Sequence, residues 1–166
     1  DVIEKVRSYP DWDEGWNYTG MGQFGACMSK LDSLIIALGK TKQEKALAVI
    51  LEKARKLTPQ HKFSHYRAVV LACEDIGSPL ATQVLSELLD MEGVAGHHVT
   101  SLSQARSAVV HDRVDVILRN NVLRELHLAR ALYRCGDDKG KGSQILHNYS
   151  RDLHGHYFRH AAGILA

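Results

Sequence analysis

The sequence predicts an all-α chain, an α-α superhelix of HEAT-like helical hairpins. Three observations carry that expectation. Apolar residues recur at helical spacing over long stretches, prolines number only 3 in 166 residues, and a helix-ending pattern returns at an interval of about 38 residues.

Taken in order, Val2 to Tyr9 reads as a short helix and Pro10 to Gly25 as a structured loop. In that loop Trp12, Trp16, Tyr18 and Phe24 sit among acids and glycines without a helical period. The run Leu34-Ile35-Ile36-Ala37-Leu38-Gly39 ends the next helix. From Thr41 to Leu57, Ala46, Leu47, Ile50, Leu51, Ala54 and Leu57 form an apolar stripe, and Thr41 with Glu44 predicts a capping box at its start. A helix near Lys62 to Ile76 carries Phe63, Tyr66, Val69, Val70, Cys73 and Ile76 on one face, and Gly77 is placed to make its left-handed C-terminal turn. Ser78-Pro79 then restarts the chain as N-cap and first-turn proline, ahead of a stripe of Leu80, Ala81, Val84, Leu85, Leu88 and Leu89.

The shift that carries Gly39 to Gly77 also carries Leu47 to Leu85, Ile50 to Leu88 and Leu51 to Leu89. A third copy ends at Leu132-Tyr133-Arg134-Cys135-Gly136, which makes Ile35, Cys73 and Leu132 equivalent, and after it Leu146 and Tyr149 match Leu85 and Leu88. Single hairpins of this kind cannot bury their own apolar faces, so neighbours must stack. Met91 to Arg119 reads as an insertion, with a loop of Gly93, Gly96, His97 and His98 followed by a helix from about Ser103. His156 to Leu165 reads as the first helix of a further unit. The expected organisation is an aromatic and glycine-rich segment, 1–28, packed on a repeat domain, 29–166.

Composition narrows the function classes. At 45% hydrophobic and 24% charged residues the chain is ordinarily globular, and its net charge of +2 is spread among interspersed acids and bases. A nucleic-acid partner would need basic residues concentrated on one face. The longest apolar run, Leu34 to Leu38, is far short of the roughly 20 residues that span a bilayer. Neither nucleic acid nor membrane is therefore an expected partner. Cys27, Cys73 and Cys135 are odd in number and far apart, which reads as small buried hydrophobes. The first residue is Asp1 rather than Met, as expected of a fragment or processed product, so compartment is not read from the lack of a leader.

The chemical motifs are weak. Gly20-Met21-Gly22-Gln23-Phe24-Gly25 matches GxGxxG, but that fingerprint needs a buried strand before it and a helix after it to cradle pyrophosphate. The residues before it are polar and aromatic, so a tight turn is the expectation. Histidine is enriched, with 10 in the chain, and His156 and His160 lie one helical turn apart with Asp152 a turn earlier. That spacing suits zinc, yet a site needs a third or fourth ligand and HExxH is absent. No GxSxG elbow or P-loop lysine is present. Tyr133 and Tyr149 fall on apolar faces as core residues.

Gly15 to Gly25, then Leu31-Asp32-Ser33 and Ala37-Leu38-Gly39, then Arg124 to Asp137, and Leu153-His154-Gly155-His156-Tyr157 together form a more specific pattern. It resembles the C-terminal HEAT-like region of a group of bacterial FAD-dependent oxidoreductases, across most of the chain. The resemblance implies an accessory helical domain whose flavin is held by a separate upstream Rossmann-type domain. It carries no catalytic or cofactor-binding residue onto this chain.

The expected function is thus a non-catalytic HEAT-like accessory or scaffold domain of a larger FAD-dependent oxidoreductase, its partner an upstream domain of the same polypeptide or another protein. The competing readings are a stand-alone protein-interaction module and a small metal-dependent enzyme using Asp152, His156 and His160. Trp12, Trp16, Tyr18, Gln23 and Phe24 are the candidate partner-contact residues. So many aromatics gain stability only when covered, by the first hairpin or by a neighbouring domain.

Overall fold

The computed structural model describes residues 1–16, 28–108 and 116–166. Within them the chain is all-α, without a strand. The helices are α1 (Val2–Arg7), α2 (Lys30–Lys40), α3 (Glu44–Ala54), α4 (Phe63–Ile76), α5 (Thr82–Asp90), α6 (Leu102–Ala108), α7 (Val116–Arg134), α8 (Lys141–Tyr149) and α9 (Gly155–Leu165).

Helix α2 lies along α4, and α4 along α7. Helix α3 leans on α4, α5 on α7, while α8 contacts both α7 and α9. The apolar stripes meet in one core. Leu47, Leu85 and Leu146 are buried in it, as are Ile35, Cys73 and Leu132, the residues that the interval in the sequence makes equivalent. Removal of these faces from water is the main favourable term holding the helices together.

Several local signals act as expected. Gly77 takes the left-handed conformation, φ 68°, at the end of α4. The Ser78 side chain caps the 3-10 turn that begins with Pro79 and leads into α5.

Two others do not. The Thr41–Glu44 capping box is absent, because α2 runs to Lys40 and α3 begins only four residues later at Glu44. Thr41 instead closes the preceding helix by donating its hydroxyl to the Leu38 carbonyl at 2.6 Å, and Glu44 accepts from Ser78 Oγ at 3.1 Å. Gly39 is likewise not a helix terminator. It lies inside α2, where a Cβ would come within 2.4 Å of Ala72 Cα on α4, and the left-handed residue of this turn is Lys42, φ 53°. The two glycines share a repeat position but have different roles. Gly77 provides a backbone conformation and Gly39 allows two helices to touch.

The first loop of the insertion, 93–99, is pinned rather than loose. Val94 and Val99 are buried. Glu125 of α7 reaches up from the core, accepting from the backbone N–H groups of Gly96 and His97 at 2.9 Å each and from the Tyr149 hydroxyl at 2.6 Å. A buried carboxylate surrounded by three donors is the arrangement that offsets its desolvation.

Candidate functional site

The densest collection of buried polar side chains lies where the N-terminal segment crosses the starts of α2 and α4. Ser29 caps α2 by accepting from Asp32 N–H at 3.0 Å, and Asp13 adds a second cap, its Oδ2 accepting from Leu31 N–H at 3.0 Å. An acid at a helix N-terminus is favoured by the unpaired amides there. That turn brings Asp32, fully buried, against His65 of α4, with Oδ1 2.7 Å from Nδ1.

Residues 9–16 form a strap over this pair. The Trp12 ring lies on the His65 ring, centroids 4.6 Å apart, and its Nε1 donates to the Lys53 carbonyl at 3.2 Å. Lys53 is buried and its ammonium donates to the Tyr9 carbonyl, while Lys56 donates to the Pro10 carbonyl at 2.7 Å. Burial, with neighbouring Lys56, pulls the Lys53 pKa down. Trp16 and Ser64 exchange hydrogen bonds, Trp16 N–H to Ser64 Oγ and Ser64 N–H to the Trp16 carbonyl, each 3.0 Å. Between them Gly15 passes so close that a Cβ would sit 2.5 Å from His65 Nε2.

A carboxylate–imidazole pair is the orienting half of many general-base systems. Here it is closed off, since His65 is 1% exposed and the strap backbone runs against its Nε2 edge. The arrangement therefore acts as a tie between α2, α4 and the strap. Asp32 falls in the Leu31-Asp32-Ser33 run of the resemblance without a role there, His65 lies in no motif, and the 33 positions between them hide the pair from any spacing rule.

Trp12 and Trp16 thus pack on their own helices, Trp16 edge-on to Phe63 with centroids 5.8 Å apart. Tyr18, Gln23, Phe24, Cys27 and the glycine motif Gly20–Gly25 lie outside the described residues. Asp152, His156 and His160 are not gathered around one point. Asp152 is held by Val99 N–H at 2.7 Å and by the backbone and ring of His154 at 2.7 and 2.8 Å, whereas His156 packs on Tyr157 and His160 stacks on His127 of α7. Among the described residues no group of three or more His, Cys, Asp or Glu is placed to hold a metal.

The remaining buried polar groups are spent in the same way. Arg124 covers the Tyr66 ring and donates to the Pro59 carbonyl at 2.9 Å, and Arg130 forms a two-pronged pair with Glu74 at 2.6 and 3.1 Å. Cys73 and Cys135 are free, buried thiols. Burial pushes both pKa values up, that of Cys135 to about 11, so neither is an activated nucleophile. Among the described residues no helix is long and apolar enough to cross a membrane.

Fold and site together describe a helical stack whose buried polar chemistry joins elements to one another. Comparison with protein-family models, with curated proteins and with solved structures returned no match.

Proposed function

We propose that this chain is a non-catalytic, HEAT-like helical accessory domain of a larger FAD-dependent oxidoreductase. The observation that carries the non-catalytic part is the use of its buried ionisable side chains. Asp32, His65, Arg124, Glu125 and Asp152 each tie one helix or loop to another, and all five are buried. The hairpin reading draws support from α2, α4 and α7 lying side by side, with α3 against α2 and α4, and α5 and α8 against α7. The oxidoreductase parent rests on the sequence resemblance alone. In this reading FAD belongs to the upstream domain, and the aromatic and glycine-rich segment from Asp11 to Gly25 is the side on which that domain docks.

The test has two parts. Titration of the chain with FAD and with NAD, followed by flavin fluorescence and calorimetry, is expected to show no saturable binding. Micromolar binding lost on Gly22→Ala would make the glycine motif a working nucleotide site. The open reading frame of the complete gene, expressed and examined by absorbance spectroscopy, is expected to carry a dinucleotide-binding domain and bound flavin. An open reading frame without one would overturn the oxidoreductase reading in favour of an independent interaction module.

A further inference from the structure

We propose that α9 is held by a proton-sensitive catch, the stacked imidazoles of His127 and His160, and is released from the stack as pH falls below neutrality. The rings lie across the α7–α9 seam with centroids 6.1 Å apart and planes 30° from parallel. His127 Nδ1 and His160 Nε2 are both buried and have no hydrogen-bond partner. A neutral imidazole tolerates this environment at modest cost, but a charged one does not, because an unpaired buried cation loses its hydration.

The surroundings sharpen the effect. The groups acting on the two rings are cationic: Arg130 and Arg134 on α7 and Arg67 on α4, together with the effect of His160 on His127. The Phe63 ring closes the α4 side, 5.3 Å from His127. Glu74 of α4, the nearby acid, is occupied by Arg130 and Arg134. Burial first, then Arg130, pulls the His127 pKa down to about 3, and the same two causes lower that of His160.

Helix α9 packs along α8, and its described anchorage includes Tyr157 against Tyr149, the buried Ala161, Ile164 and Leu165 against the core, the Asp152–His154 turn and the histidine stack. His156 on the same helix also has a lowered pKa, chiefly from burial and the neighbouring His154, and Arg159 adds a further positive charge. These groups add to the effect in the same direction.

The sign follows from linkage. A histidine whose native pKa lies below its ordinary 6.5 contributes docking stability that is complete above about 6.5 and is lost as pH falls toward the native value. At pH 5 a released imidazole of ordinary pKa favours the open form up to about thirtyfold over pH 7.5.

Hydrogen exchange read by mass spectrometry, corrected for the intrinsic pH dependence of exchange, tests this. Protection across 155–165 is expected to fall by up to about thirtyfold for each ring released between pH 7.5 and 5.0, while protection across α4 changes less. In the His127→Phe/His160→Phe double variant the α9 protection should lose most of that pH dependence, keeping only the share that His156 adds. Unchanged α9 protection in the native chain, or an equal loss in the double variant, overturns the proposal. Imidazole titration by NMR on the native chain decides it independently of whether that variant folds. Both rings titrating below the ordinary range supports the catch, and either one titrating at or above 6.5 refutes it.

Discussion

The contact at Gly39 can be tested by adding one carbon. In Gly39→Ala the new Cβ would stand 2.4 Å from Ala72 Cα, 2.8 Å from its Cβ and 3.1 Å from its carbonyl oxygen. Ordinary carbon–carbon contact is roughly 3.5–4.0 Å, so α2 and α4 must separate by about 1 Å or bend. The obstacle is backbone and cannot rotate away. Overpacking of this kind costs about 1–3 kcal/mol, and a backbone clash belongs at the upper end. Alanine in place of glycine inside a helix returns about 1 kcal/mol of propensity. The net expectation is a loss of about 2 kcal/mol, or a fall in Tm of about 4–8 °C for a domain of this size. Urea unfolding followed by circular dichroism at 222 nm measures it. Ala72→Gly in the same chain should rescue only a part, since the Cα and carbonyl remain. A Gly39→Ala chain as stable as the native one, or more so, would mean that propensity alone governs position 39 and that the two helices do not touch there.

Four further outcomes are expected. Leu85→Ala removes a fully buried side chain and should cost about 2–5 kcal/mol in the same unfolding assay; a cost below about 0.5 would mean the stripe is misassigned. Asp32→Ala leaves His65 buried without its partner and should destabilise by about 3–5 kcal/mol, more than Asp32→Asn, which keeps an oxygen facing the ring. Trp12→Ala removes a half-buried ring and its bond to Lys53, for a loss of about 2 kcal/mol and faster proteolytic cutting within residues 8–16. Glu125→Ala strands the Gly96 and His97 amides and the Tyr149 hydroxyl, so backbone amide exchange in 93–99 should accelerate before that of α4.

The two pH-related readings differ in direction and are separable. Loss of the His127–His160 catch unfolds from the α9 end as pH falls, whereas the Cys135 thiol, with its pKa raised to about 11, is expected to react slowly with iodoacetamide at pH 8 throughout the folded chain.

What the sequence by itself determined was the helical class, most of the ends and the registers of the stripes, except that Leu80 lies in the 3-10 turn before α5 and is 68% exposed. Periodicity is a local property, and the burial of Ala46, Leu47, Ile50 and Leu51, or of Val84, Leu85, Leu88 and Leu89, follows from spacing along one helix. Gly77 and Ser78-Pro79 were legible for the same reason, since caps are made by residues adjacent in the chain. Tertiary structure alone decided what each polar residue does. The partners of Asp32, Arg124, Glu125 and Asp152 lie 33, 65, 29 and 53 positions away, and no spacing rule reaches that far. Asp152 carried a metal-like spacing with His156 but is consumed by the Val99 amide, and Gly39 carried a terminator's position but serves contact with Ala72. A side chain's local pattern fixes which way it faces; which atom it meets there is fixed by how the helices pack.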